Sequence, residues 1–277
     1  VRLLLIAALS AVANSAAAQG CLAPENSNEA IIMGIKSVPI AFSPARAPNP
    51  GGDKRFELGI EGLTVPKAPD ENLAPNACGG DDGLSNTNQL VVAARPRARV
   101  ALGGGFAIEA GWVPPIPVSG VTANLFGGSL NWVTAIGPVF ALELRAHGAT
   151  GTVKGAFTCT EPETVDPTST CFGASVSNDS FKPLVVGGDL SFGGVFAEGR
   201  ARPYVGGGYS YLRPEFEVNY TTAQGQLDNS VVEARLNRIA LFGGFTFDLS
   251  NTWSVTGQLY AVLDDASTVS FTLRAAL

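Results

Sequence analysis

The sequence predicts an all-β protein, an antiparallel transmembrane β-barrel of about ten strands within a range of roughly eight to twelve. Three observations predict it. Apolar and polar residues alternate at period two in many segments, and the polar face carries ionisable groups that a water-soluble sandwich would have to bury unpaired. Connections between these segments alternate between long and short, as in a barrel with short periplasmic turns and longer external loops. Beyond the N-terminus, no stretch approaches the ~18 continuous apolar residues of a transmembrane helix, so a place in a membrane requires strands.

The first element, residues 1–18, reads as a secretory signal peptide. Arg2 precedes the apolar run 3–12, and Ala16, Ala17 and Ala18 before Gln19 form a small-residue cleavage site. Export follows from that reading, and together with a membrane barrel it makes the cell outer membrane the expected location. Residues 19–53 come next, either as an unordered leader or as a plug in the lumen. Ile31, Ile32, Ile35, Val38, Ile40 and Phe42 are apolar without firm periodicity, and 44–52 is rich in Pro, Gly and Asn.

The barrel itself is read over 54–277. Its plainest strand sets Arg95, Arg97 and Arg99 against Ala94, Pro96, Ala98, Val100 and Leu102. Further on, Ile108 and Ala110 alternate with Glu109, and Leu142, Leu144 and Ala146 with Glu143, Arg145 and His147. Leu190 and Phe192 oppose Asp189 and Ser191, and two last segments begin near Trp253 and Val269. Two segments lose phase, at Gly127-Gly128 and Asn237-Arg238, and each calls for a bulge. Pro96, Pro183 and Pro203 each remove a ladder donor, and bulges are expected there as well.

Four cysteines in an exported chain suggest disulfides. Cys159 and Cys171 bracket a Pro/Thr/Glu-rich loop and pair most simply with each other, which leaves Cys21 with Cys78. Glu161, Glu163, Asp166 and Asp179 make that loop region acidic, suited to cations or simply to solvation.

In this patterning the chain resembles the small outer-membrane β-barrels of Gram-negative bacteria, porin-like and OmpA-like in class. Trp112, Trp132, Trp253, Tyr209 and Tyr211 fall near strand ends, like the aromatic girdles of such proteins. Leu277 departs from the class, since many members end in Phe. The resemblance implies contact with outer-membrane lipid and lipopolysaccharide, insertion by the barrel-assembly machinery, and possible passage of small solutes.

The candidate functional set is the charged inner face: Arg95, Arg97, Arg99, Glu109, Glu143, Arg145, His147, Asp189, Arg200, Arg202, Glu233 and Arg235, with Glu57 and Glu61. Such residues either neutralise one another in a filled lumen or line a narrow conduit. The sole His lacks the Ser two positions on that some outer-membrane lipases carry, because His147 is followed by Gly148 and Ala149. No phosphate loop, zinc spacing or nucleophile elbow is present in the sequence, and no cofactor or metal is expected. A net charge of −6 argues against a nucleic-acid partner. The expected function is therefore non-enzymatic, a narrow passive channel or a scaffold for surface loops, with a lipid-modifying hydrolase or deacylase as the alternative.

Overall fold

A computed structural model describes residues 20–49, 55–78 and 85–277. The residues read as a signal peptide, 1–18, lie outside the described ones, as do Gln19, 50–54 and 79–84. Ten strands close into one antiparallel barrel: β1 (Phe56–Thr64), β2 (Val92–Gly103), β3 (Phe106–Val113), β4 (Val121–Ile136), β5 (Phe140–Gly155), β6 (Leu184–Gly194), β7 (Ala201–Leu212), β8 (Leu236–Asp248), β9 (Trp253–Val262) and β10 (Ser267–Ala276). Each pairs with its neighbours in sequence, and β10 returns to β1 in the register Ser270↔Leu63 to Ala276↔Glu57. An even strand number puts the start of β1 and the finish of β10 at the same end. Turns at that end are short, whereas the other end carries 65–91, 114–120, 156–183 and 213–235, plus one tight turn at 263–266.

Closure gives every strand two partners, and the period-two faces follow. Val100, Ile108, Leu130, Leu144, Leu190, Val205, Leu241, Leu259 and Phe271 point outward and are exposed, while the polar set of the same strands is buried. A sheet with that polarity is inside-out relative to a soluble barrel.

The expected bulges are not where the structure puts its irregularity. Register runs unbroken through Gly127-Gly128 and through Asn237-Arg238. The alternation breaks in the sequence there because apolar residues also face inward: Leu125 on β4, and Leu236, Ala240 and Phe242 on β8. The prolines also shift no register. Pro96 pairs with Ile60 but lies one residue past the end of the β2–β3 ladder, and Pro203 pairs with Phe245 one residue past the end of the β6–β7 ladder. Pro183 interrupts the pairing along β5 between Lys182 and Leu184. At a ladder end the missing N–H costs little. Among the described barrel ladders the one register shift falls between Ala101 and Gly103.

Inside the barrel lies the segment that precedes it. Ser27 caps a helix, α1 (Asn28–Ser37), its Oγ accepting from the Ala30 N–H at 3.2 Å. Ala30, Ile32, Met33, Gly34, Ile35 and Ser37 are all buried, so the helix is covered on most sides and shows no single apolar stripe. That is why its periodicity is weak in the sequence. Gly34 lets it approach the turn at 263–266, for a Cβ there would stand 2.5 Å from Asp265 Oδ1. The chain then descends without regular structure: Phe42 reaches Gly111 and Gly127, Ala47 donates to Thr246 Oγ1 at 3.0 Å, and Pro48 reaches Gly193 near the short-turn end.

The N-terminal end of this segment is fixed at the long-loop end. Gly20–Leu22 pairs in parallel with Val231–Glu233, at the edge of a small sheet continued by Glu215–Glu217, Asp179–Lys182 and the top of β5. Disulfides join Cys21 to Cys78 and Cys159 to Cys171. Residues 20–49 thus run from the small sheet down through the lumen towards the short-turn end, where β1 starts.

Candidate functional site: the lumen

Two groups of charged side chains occupy the middle of the lumen. The first is built on β1, β2, β3 and β10, whose alternation aims Glu57, Glu61, Arg95, Arg97, Arg99, Glu109 and Arg274 inward, all buried. Arg95 and Arg97 share Glu61 Oε2, at 2.7 and 3.0 Å. Arg97 Nε also reaches Glu109 Oε1 at 2.8 Å, and Arg274 meets the same oxygen at 2.7 Å. Arg99 sits opposite Glu109 across the β2–β3 ladder, with no exposed surface. Removing one member would leave its partner charged in a site that water does not reach, a cost of about 3–5 kcal/mol for a buried pair.

The inner segment is part of this network. Arg46 pairs with Glu57 at 2.7 Å, and Arg97 Nη2 donates to the Ser43 carbonyl at 3.0 Å. Phe42, fully buried, lies beneath both guanidinium groups, whose Cζ atoms stand 4.9 Å (Arg95) and 4.0 Å (Arg97) from its ring centroid. In the sequence Phe42 stands out only as one of several apolar residues without firm periodicity, and Arg46 carries no signal, because neither lies in a strand.

The second group spans β5, β6 and β7. Arg145 binds Asp189, with its Nε donating to Oδ2 at 2.9 Å, and His147 Nε2 stands 3.5 Å from Asp189 Oδ1. Gly187 lies between His147 and Ser210, and a Cβ there would meet Ser210 Oγ at 2.6 Å and His147 Nε2 at 2.8 Å. A Ser, a His and an Asp therefore share one corner of the lumen. The cavity beside Ser210 holds only about 10 Å³, enclosed in part by Val38 and Ala41 of the inner segment.

Two residues of the sequence-derived set, Arg235 and Glu233, lie outside the lumen, and a third, Arg200, stands only at its short-turn mouth, beside the cavity that Arg46, Glu57 and Arg274 also line. Arg200 is exposed in the turn before β7, and Arg235 is exposed just before β8 begins. Glu233 lies in the small sheet above the barrel, bound to Arg213 at 3.1 Å. All three lie beyond the ends of the barrel strands, where the barrel's alternation no longer says which way a side chain points. Arg202 is half-buried near the short-turn end and meets Asp248 at 2.6 Å, and Glu143 is buried on β5. Arg238 supplies what Arg235 does not: it points inward and binds Asp265 and Glu25 at 2.9 and 2.7 Å. Reading β8 in one phase finds it, and reading β10 in one phase finds Arg274.

Nor do the acidic loop residues gather around an ion. Asp179 is buried and accepts from the backbone N–H groups of Phe157, Thr158 and Asn219 and from Ser177 Oγ. Glu163 closes a capping box with Thr160 at the short helix Glu161–Val165. Asp166 accepts from Thr168 N and Oγ1, bonds that hold its carboxyl below the usual range. The acids brace the loop that Cys159–Cys171 closes.

No protein-family model matches the chain, and no curated protein matches it. Among solved structures it is similar to the attachment invasion locus protein Ail of Yersinia pestis, at 12% identity over 81% of this chain and 97% of that one, with a TM-score of 0.33. Neisserial surface protein A aligns at 8% identity over 80% and 97%, TM-score 0.30, and the Pseudomonas putida toluene transporter TodX at 9% over 88% and 76%, TM-score 0.36. Superpositions this loose carry no argument about what the chain does. On its own topology and faces, the chain has the architecture of an outer-membrane-type β-barrel: ten antiparallel strands, closed, apolar outside and charged within.

Proposed function

We propose that the protein is an integral outer-membrane β-barrel, non-enzymatic, whose own N-terminal segment plugs the lumen and whose disulfide-braced loops are displayed at the cell surface. The observation that carries this reading is the position of residues 20–49: Phe42 has no exposed surface, and its ring is enclosed by Gly111, Gly127, Arg95 and Arg97. A conduit needs a path past that point. Membrane embedding is supported by the outward belt, since Val205, Phe271, Leu241 and Ile108 are each at least half exposed and soluble proteins rarely leave so large an apolar surface in water. Phe106, Trp132 and Trp253 lie towards the short turns, and Trp112 with Tyr209 and Tyr211 towards the long loops, as interfacial girdles do.

This reading favours a scaffold over an open channel, with short turns periplasmic and the long loops outside. It also favours a network role for His147. The space described beside Ser210 is far too small for a lipid headgroup, and Asp189 is already held by Arg145. The partners that follow are outer-membrane lipid and lipopolysaccharide around the belt and the barrel-assembly machinery during insertion. Planar-bilayer recording on refolded protein tests the claim. The wild type is expected to show no conductance above baseline at low voltage, and a stable open-pore current would refute the plugged lumen. Incubation with labelled phospholipid is expected to release no product, and release of fatty acid that Ser210→Ala abolishes would favour the hydrolase.

A further inference from the structure

The barrel wall is not paired evenly all the way round. The β2–β3 ladder stops at Arg97↔Gly111, yet β2 extends to Val92 and β3 to Val113. Pro96 is the next residue on β2 and has no N–H to offer. On the other side β3 stays with β4 as far as Val113↔Leu125, while β2 stays with β1 as far as Val92↔Thr64. Towards the long-loop end the two sides of the wall therefore part, with no ladder between β2 and β3 among the described residues.

Behind the parting is a cavity of about 100 Å³. Ile32 and Met33 of α1 line it from within, Ala93 of β2 and Val113 of β3 from the two sides of the parting, and Leu125 and Phe126 from β4. On the outer face beside the parting, Phe126 is 53% exposed and stacks on Trp112 with ring centroids 6.0 Å apart. Lys36 and Arg95 border the cavity, but their polar atoms are engaged. Lys36 Nζ donates to the Pro66 carbonyl at 2.9 Å and to Asn88 Oδ1 at 2.8 Å, and Arg95 is held by Glu61.

We propose that this gap admits the acyl chain of a surrounding membrane lipid, whose end lies in the cavity against α1. Ala93 and Val113 line the cavity from the two sides of the parting, and their neighbours Val92 and Trp112 are exposed on the outer face, so an opening between them meets the outward apolar belt, and what touches that belt fills it. Free polar groups that would orient a water-soluble ligand are lacking on the described walls. An empty apolar cavity forfeits the dispersion contacts of its lining, and a hydrocarbon chain restores them. Its size is of the order of the dry cavity of about 150 Å³ that takes up benzene, enough for the terminal methylenes of one chain. The proposal rests on the membrane-embedded reading above, and its test separates the two.

The full chain is refolded into phosphatidylcholine vesicles containing a phospholipid with a diazirine near its acyl terminus, irradiated, reduced, digested and mapped by mass spectrometry. Adducts at Leu130 and Leu144 report the belt; adducts at Ile32 and Met33 report the cavity. Both are expected. Ala123→Phe, which fills the cavity from β4, is expected to lower the Ile32–Met33 adducts at least fivefold with the belt unchanged. Ala146→Phe, outward on β5, is expected to change neither. Should Ala123→Phe fail to refold, as judged by heat-modified migration on gels, Ala93→Leu fills the same space from β2. A labelled belt with unlabelled Ile32 and Met33, or adducts that persist in the filled variant, overturns the lateral entry while leaving the membrane barrel standing. An unlabelled belt overturns both.

Discussion

Replacing Phe42 tests whether the inner segment is packed against the wall or merely threaded through it. Phe42 has no exposed surface, and the wall offers it two glycines, Gly111 and Gly127, whose missing side chains form its socket. Glycine backbone in a closed barrel has little freedom to collapse into a void, so Phe42→Ala belongs in the upper part of the roughly 3–5 kcal/mol range for buried Phe→Ala changes. Loss of the ring beneath Arg95 and Arg97 adds on the order of 1 kcal/mol, for an expected total of about 5 kcal/mol. The assay is urea titration in vesicles, followed by intrinsic fluorescence and by protease protection of residues 20–49. A reciprocal change sharpens it. A Cβ at Gly127 would stand 2.5 Å from Phe42 Cδ2, so Gly127→Ala should destabilise the wild type by overpacking yet be neutral or favourable beside Phe42→Ala. Should Phe42→Ala cost less than about 1 kcal/mol, or Gly127→Ala behave alike in both backgrounds, the packed-plug reasoning is wrong.

Faces of one strand should respond oppositely: Val100→Arg, outward on β2, should cost roughly 2–4 kcal/mol in vesicle refolding, whereas Arg99→Ala should act through the loss of its pairing with Glu109. If Val100→Arg is harmless and Arg99→Leu improves insertion, the faces are inverted. Reduction of Cys21–Cys78, which closes a loop with a sequence separation of 57, should release the N-terminal end of the inner segment and speed its proteolysis, and on the entropic account removes about 4 kcal/mol. Unchanged protection after verified reduction would mean that the strand Gly20–Leu22 holds without it. Burial, and then the charge of Lys67, push Lys36 down to about 8 from an ordinary value of 10.5. Between those two values the unfolded chain holds a proton that the folded chain has released, so this group adds stability as pH rises from 8 to 10.5. The rise should be visible as a difference in slope between wild type and Lys36→Met, and equal slopes would contradict it.

What the sequence revealed of the fold is what period two can reveal. Strands such as β2, with three arginines on one face and Val100 on the other, declare both existence and orientation, since a shift of one residue would put the arginines in lipid. Alternation of loop lengths then gives the strand count, including the tight turn at 263–266 that breaks the rule. Where the reading failed, the interior was not polar. Towards the long loops the lumen holds α1, so Leu125, Leu236, Ala240 and Phe242 are apolar on the inner face, and a hydrophobic pattern on both faces looks like a loss of phase. Pairing registers show that no residue is inserted there.

The site was legible to the same depth and no further. Charges inside strands can be placed by counting, and Arg274 and Arg238 were available to that count. Arg200, Arg235 and Glu233 stand one or more residues beyond the end of a barrel strand, where the barrel's pleat no longer sets direction. The inner segment is the harder case. Its contribution depends on glycines that carry no pattern of their own: Gly127 reads as a weak strand position until Phe42 is seen in its socket, and Gly34 as a helix defect until Asp265 is seen against it. A residue kept small so that another chain segment can approach leaves only an absence in the sequence, and the partner that explains it, here Phe42 for Gly111 and Gly127, lies far away along the chain. The same logic separates the two ends of the lumen. Charged side chains fill the middle because pairing across strands satisfies them, whereas the upper part is filled by a helix. Only an apolar wall can receive the largely apolar surface that α1 presents.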